Sequence, residues 1–370
     1  MIESIEVKGF KTLRDVTILL AEGITVLVGA NNSGKSNIVK LFELIAATAR
    51  IGDFRKAATL FGGLESLVTR GDKPQMSIVV NFRDRDSIAT YRLGWEPDCE
   101  VVSYSIGGGA EVQVARDDQG RYKLPGGASA GGPVGFGLRM WSSQDDAPAP
   151  VSALQRALIN IIVRDLSVPA MRAPSPTRRG AELGRDGLHL AAVLDDLNPD
   201  LLDAVGREVR TTAPEIKRVL ARNADEPGTK IVGVVEGRGE VFTANELSDG
   251  LLLFIGLSVS VALAGSARSV LAIEEPERGV HPRRIRDLVD MLKDAAVRGS
   301  QVVVTTHSPE LLNEFRDQPE SVLILDRDES GTHVIRLSDR EEWVAELQDK
   351  SLGDIWYSGV LGGVPRGPGK

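Results

Sequence analysis

Cysteine, aromatic side chains and surplus positive charge are all scarce in this 370-residue chain. The single cysteine, Cys99, excludes an internal disulfide and any cysteine-built metal cage, and it fits a reducing compartment. Four histidines without CxxC or HExxH spacing argue equally against a zinc site. The longest nearly apolar run, 251–265, is about 15 residues and holds two serines, too short to cross a bilayer. Glu3 and Glu6 open the chain with no apolar stretch around them, so neither a signal peptide nor a membrane partner is expected, and the chain reads as cytoplasmic. Lys+Arg 44 against Asp+Glu 52 gives a net charge of −8, the wrong sign for a protein that coats nucleic acid non-specifically. DNA binding would need a local basic patch.

What is present is an ordinary globular composition, 42% hydrophobic and 26% charged, with length for roughly two to three domain-sized units. Strand-like alternation runs through the first 28 residues and ends in the apolar, β-branched Ile24-Thr-Val-Leu-Val28. Ile38, Leu41, Phe42 and Ile45 then recur at helical spacing. Short alternating runs between 76 and 105 predict an antiparallel β patch, and the Gly- and Pro-rich stretch 107–150 predicts peripheral loops. Helical text follows at 152–166 and 187–222. From 230 a second α/β pattern appears, with strands near 230–235, 269–273 and 301–305 and a helix over 282–297. The expected fold is therefore α/β in two halves, 1–105 and 230–370, around a mostly helical middle insertion, 106–229.

Gly29-Ala-Asn-Asn-Ser-Gly-Lys-Ser36 fits G-x-x-x-x-G-K-[ST] at every fixed position and lies between a predicted strand and a predicted helix. Backbone N–H groups of such a turn close around phosphate oxygens at a helix N-terminus. Lys35 would reach the terminal phosphates and Ser36 would supply a hydroxyl to Mg²⁺. Gly29, Asn31, Asn32, Ser33, Gly34, Lys35, Ser36 and Asn37 are thus the candidate nucleotide contacts.

Downstream, Val270-Leu-Ala-Ile273 delivers Glu274-Glu275 to a strand end. A carboxylate so placed can hold Mg²⁺ opposite the hydroxyl, and its neighbour can take a proton from the attacking water. Glu274 is the expected metal-side acid and Glu275 the expected base. Leu247-Ser-Asp-Gly250 precedes a helix-like apolar run, as an ordinary N-cap or a second anion site would. Val302-Val-Val-Thr-Thr-His307 is a strand ending in histidine, a pattern that is structural more often than catalytic.

Taken in order, these segments resemble the RecF/SMC/OLD branch of ABC-type ATPases. The match rests on Ile5-Glu-Val-Lys-Gly-Phe10, Leu13-Arg-Asp-Val16, Gly34-Lys-Ser-Asn37, Leu247-Ser-Asp-Gly250, Ile273-Glu-Glu-Pro-Glu277 with His281-Pro282, and Thr305-Thr-His-Ser-Pro309. It spans roughly 1–105 and 230–325 and looks most like stand-alone OLD-like bacterial ATPases. The resemblance implies ATP with Mg²⁺ and a homodimer in which the signature residues Leu247, Ser248, Asp249 and Gly250 act in trans on the partner's nucleotide. It further implies a switch role for His307, a catalytic role for Glu275, and a place at the dimer seam for Glu277 to His281. Three departures stand out. Glu274 replaces the aspartate of transporter heads, and Ser-Asp-Gly replaces Ser-Gly-Gly. No glutamine sits in a distinctive coupling context, which leaves Gln75, Gln144 and Gln155 as candidates.

About 120 residues separate the halves and about 60 follow His307, too few for long SMC arms or an appended Toprim nuclease. Asp326-Arg-Asp328 reads as a hairpin turn before it reads as a metal pair. Arg172, Arg178, Arg179 and Arg185 form one candidate nucleic-acid patch, against a solvated loop; Arg278, Arg283, Arg284 and Arg286 form another. Trp343 and the tail 351–360 read as a docking segment, folded back on the head or binding a partner. The expected function is an ATPase that dimerises on ATP and controls DNA or a separately encoded effector, nuclease or toxin-like, in repair or anti-phage defence. The alternatives are a nucleotide-sensing scaffold without DNA contact and, against the Lys-Ser-Asn loop, a transporter's driving subunit.

Overall fold

A computed structural model of the chain describes residues 1–71, 75–96, 98–125, 127, 129–265, 269–340 and 350–364. Trp343 lies outside them. A central six-stranded sheet runs Ile161–Arg164, Val270–Glu274, Gln301–Thr306, Ile24–Gly29, Val322–Asp328 and Gly331–Arg336, in that spatial order. The first five strands are parallel and the last closes an antiparallel hairpin. The strand from the beginning of the chain is therefore inserted between two strands from its end. All five parallel strands finish on one edge, the edge where open α/β sheets bind their ligands.

Side chains alternate along these strands and feed two separate cores. Leu27, Ala272 and Val303 face one core, with Ile38, Leu41, Phe42 and Ile45 of the helix Lys35–Ile51. Val26, Val28, Leu271, Ile273, Val302 and Val304 face the other. The first core is closed by a second, antiparallel sheet of Leu13–Leu19, Ile2–Phe10, Met76–Asp84, Ser87–Trp95, Cys99–Ile106 and Val112–Ala115. The second core is filled by the helix Asp249–Ala264, apolar on all sides and buried over most of its length. Its two internal serines are tolerated because Ser258 and Ser260 donate back to Phe254 O and Gly256 O, each at 2.8 Å.

The middle region differs from the expected loops and helices in several places: within 107–150, Val112–Ala115 is a strand of the antiparallel sheet and Phe136–Ser142 is a helix. Its strand Ile161–Arg164 pairs with Val270–Glu274 and so belongs to the central sheet. Residues 216–223, expected as helix, form a strand of a smaller sheet with Thr229–Glu236, since Ile216 and Val219 alternate inward there. The tail folds back: Leu352–Tyr357 is a helix with Leu352, Ile355 and Trp356 buried, and Gly353 N donates to Asn313 Oδ1 at 2.7 Å.

One buried side chain ties the two large sheets together. Gln301 accepts from Ile2 N at 2.6 Å and donates to Ile2 O at 2.8 Å and Ala21 O at 3.2 Å. Leucine at this position would leave the Ile2 amide and carbonyl without partners, so Gln301→Leu should cost about 1–3 kcal/mol. A fall in the urea midpoint checks this; an unchanged midpoint would show that the link adds nothing.

Candidate nucleotide and catalytic site

The phosphate loop leaves the fully buried strand Ile24–Gly29 and enters the helix at Lys35. Asn32 and Gly34 both adopt positive φ, 69° and 114°. Any side chain at Gly34 would be driven into Thr332, so glycine is required by space as well as by φ. The helix start carries no side-chain cap, which leaves its first N–H groups for an anion. Ser33 Oγ is buried without a hydrogen-bond partner, a further polar atom that a phosphate oxygen would satisfy. Lys35 Nζ donates to Gly29 O at 2.6 Å and Ala30 O at 3.0 Å. Burial pushes its pKa down to about 8, against the pull of Glu275, Glu277 and Glu274.

The acid pair splits its two side chains by a backbone device. Glu274 is the last residue of its strand, and its Oε2 accepts from Ser36 Oγ at 2.8 Å. Glu275 then turns into the left-handed region at φ 44°, an uncommon conformation for a residue with a side chain. Its amide is held by Thr305 O at 3.0 Å and Thr305 Oγ1 at 3.2 Å. The strained turn places Glu275 Oε1 3.5 Å from His307 Nε2, and Oε2 accepts from Arg278 at 3.0 Å. Burial and nearby Lys35 hold the His307 pKa below its usual value, opposed by Glu275. Glu277 brackets the same loop, its Oε1 accepting from Thr306 Oγ1 at 2.6 Å and His307 N at 3.2 Å.

A cavity of about 350 Å³ is lined by Asn31, Asn32, Gly34, Lys35, Ser36, Asn37, Glu275, Thr305 and His307. Residues that the sequence placed in three distant motifs thus share one space. A second cavity of about 340 Å³ adjoins it through Asn37 and includes Lys11, Thr12, Arg14, Thr69 and Arg70. For Mg²⁺ the donor set is one hydroxyl and one carboxylate. Among the described residues no group of three or more His, Cys, Asp or Glu could hold a metal alone. That set suits an ion that keeps water and phosphate ligands, as Mg²⁺ does.

The Leu247–Gly250 corner lies at the surface. Leu247 is its buried anchor, Ser248 and Asp249 are exposed, and Ser248 Oγ caps the following helix by accepting from Leu251 N at 3.3 Å. A Cβ on Gly250 would meet Gly279 O at 2.6 Å, so the corner packs directly on the segment after Glu275. None of these four residues lines the cavity of its own chain.

Two members of the expected nucleic-acid patch are paired with carboxylates of the same chain. Arg172 donates to Ala244 O, Leu247 O and Asp249 Oδ1 at 3.1, 3.0 and 2.7 Å, bracing the signature corner. Arg185 pairs with Glu274, with Glu43 at 3.1 Å and with Asp165 at 3.7 Å. Arg178 and Arg179 are exposed. In the other patch, Arg278 pairs with Glu275 and Asp165, and Arg284 with Asp287. None of the three candidate glutamines lines the site. Gln155 donates to Ala49 O at 3.1 Å and Gln144 to Met140 O at 3.2 Å, while Gln75 is exposed just before the strand Met76–Asp84 of the antiparallel sheet. The sheet edge beside Glu274 carries Asp165 instead. Asp326-Arg-Asp328 is a hairpin end, as read, and Arg327 reaches across to Asn32 Oδ1 at 2.7 Å. Sequence reading missed Asp165, and it assigned Arg185 and Arg278 to nucleic-acid patches and Glu277 to the dimer seam, because each gains its place beside the acid pair from a partner distant in sequence or across a turn.

The sequence matches the AAA ATPase domain family over residues 1–137. Over residues 143–313 it matches an AAA domain family whose description names the AbiEii toxin and a type IV TA system. No curated protein matches the sequence. Among solved structures, an SMC head bound to the C-winged helix domain of ScpA aligns with a TM-score of 0.54 at 16% identity, over 90% of this chain and 96% of that one. The SMC head domain from Thermotoga maritima aligns at 0.49 and 12% identity, over 90% and 98%. A Pyrococcus furiosus SMC head with an extended coiled coil, bound to the C-terminal domain of ScpA, aligns at 0.49 and 16%, over 94% and 99%. At such identities the likeness is one of fold. The phosphate loop and the two ATPase-domain matches support an ATPase, and the SMC head shares its fold.

The low pKa of Lys35 gives a measurable linkage. Near pH 8 and above, the free protein holds this lysine partly neutral; phosphates favour the charged form and raise the pKa. Nucleotide binding at pH 8.5 should therefore take up protons, and affinity should fall as pH rises through 8–9. Calorimetry in buffers of different ionisation enthalpy reads the uptake, and Lys35→Met should abolish it.

Proposed function

We propose that this chain is a cytoplasmic, Mg²⁺-dependent ATPase of the OLD-like branch that closes as a homodimer around two ATP molecules. The carrying observation is the signature corner, which is exposed, capped and braced, yet lies outside the cavity formed by its own chain's phosphate loop. An anion site so placed serves a nucleotide on another molecule. Ser36 and Glu274 would hold Mg²⁺, which when bound neutralises charge developing on the β- and γ-phosphates.

The chain's own residues divide the remaining work. Lys35 and the loop amides bind and orient the γ-phosphate. The second cavity, with Lys11, Thr12, Arg14 and Arg70, takes the nucleoside side of ATP. Glu275, held by Arg278 and beside His307, orients the attacking water and accepts its proton. His307 Nε2 contacts the γ-phosphate, and Ser248 of the partner subunit completes the shell around it.

Closure would control a separately encoded effector, in anti-phage defence or DNA repair. Pairing of Arg172 with Asp249, and of Arg185 with Glu43, Asp165 and Glu274, favours an effector scaffold over direct DNA contact, since it neutralises two of the four charges of that patch.

Glu275→Gln should lower turnover by about 10²–10⁴-fold while leaving ATP binding intact. Analytical ultracentrifugation with ATP should then find a stable dimer, and adding Ser248→Arg should return it to monomer. A Glu275→Gln protein that stays monomeric at saturating ATP would overturn the sandwich. Capture of duplex DNA by the trapped dimer would favour a clamp over a scaffold.

A further inference from the structure

Arg185 sits where the hydrolytic scheme has no task for it. Its guanidinium lies among three carboxylates from three parts of the chain: Glu43 on the phosphate-loop helix, Asp165 after the strand Ile161–Arg164, and Glu274. Glu43 follows Ser36 by two helical turns and so shares its face of the helix. Asp165 follows the strand paired in register with the strand of Glu274. One charged fork thus touches the helix that carries the metal hydroxyl and the strand that carries the metal acid.

Backbone geometry delivers this side chain. Asp165 N donates to Arg185 O at 2.9 Å and Ser167 N to Asp186 O at 2.8 Å, stitching the loop to the sheet edge. Gly184 N donates to Leu188 O at 2.8 Å, and Gly187 at φ 87° packs against Met171 and Leu166, which leaves no room for a side chain.

Both oxygens of Glu274 are engaged. Oε1 is bound by Arg185 and Oε2 accepts from Ser36 Oγ at 2.8 Å. The arginine therefore fixes the rotation of the carboxylate and leaves the oxygen facing Ser36 to serve the ion. Without the guanidinium, Glu43, Asp165 and Glu274 would repel one another, and Glu274 would swing away from Ser36.

We propose that Arg185 is a positioning residue for Mg²⁺ binding, supplied by the middle region, that orients Glu274 toward Ser36. The inference rests on the Mg²⁺–ATP reading of the site. It also makes metal occupancy sensitive to the placement of the 173–189 segment, a coupling that none of Gln75, Gln144 and Gln155 is placed to provide.

Full-length wild type, Arg185→Gln and Arg185→Lys serve as the test, with Mn²⁺ as probe. Fluorescent ATP analogue binding in EDTA should be the same within about twofold for all three, because the phosphate loop is untouched. With a non-hydrolysable analogue bound, the Mn²⁺ concentration that half-fills the site, read by electron paramagnetic resonance, should rise about tenfold in Arg185→Gln. Arg185→Lys keeps the charge but not the fork, so it should fall between, and it carries the test if the glutamine variant does not fold. Unchanged Mn²⁺ binding in the variants would reduce Arg185 to a structural brace and overturn the proposal. Tighter binding would overturn it too, by making the arginine a competitor of the metal. A wild-type protein that binds no nucleotide would instead sink the site reading itself.

Discussion

The parallel pairing of Ile24–Gly29 between Gln301–Thr306 and Val322–Asp328 is the constraint on which the site depends. It sets the phosphate loop beside His307 and one strand away from the acid pair, on one sheet edge. The register aligns Val28 with Thr306 and Glu274 with Thr305, so the chemistry-bearing residues begin where the ladder stops. Thr332, from the hairpin at the sheet's far edge, then closes on the loop from the other side, donating to Ser33 O at 2.9 Å.

Charge within the site is arranged in opposed layers. Four acids, Glu274, Glu275, Glu277 and Asp165, gather around one edge of the central sheet, and Lys35, Arg185 and Arg278 stand against them. Each arginine is shared between carboxylates, and Asp165 joins the two groups by touching both Arg185 and Arg278. A net acidic chain thus concentrates positive charge where the loop amides also point. The left-handed turn at Glu275 keeps the two neighbouring acids on different duties.

The phosphate loop, acid pair, signature and histidine were legible because each is a short local pattern whose residue types follow from its chemistry. The strands carrying them were legible for the same reason: buried parallel strands read as unbroken apolar runs. The strand Ile161–Arg164 was not, because its four residues follow a helix and resemble that helix's last turn in composition. Arg172 and Arg185 were legible as charges but not as contacts. Their partners lie 77 and 89 residues away in sequence, and nothing in a local window separates a paired arginine from a solvated one. Glu277 looked like part of a seam segment because its neighbours do; only the hydrogen bonds from Thr306 and the His307 amide give it a place within its own subunit.

The insertion of an early strand between two late ones has a consequence for synthesis. The antiparallel sheet and its helix can assemble once residues up to Ala115 have emerged, yet the strand that ends in the phosphate loop gains its neighbours only after residue 300 has been made. Until then both of its edges present unpaired amides and carbonyls beside an apolar face, the feature that invites wrong strand pairing. Ribosome-bound chains of this protein must therefore pass through a long interval with an open seam down the middle of the future sheet, and the loop gains both strand neighbours only once residues 301–328 are made rather than gradually with length.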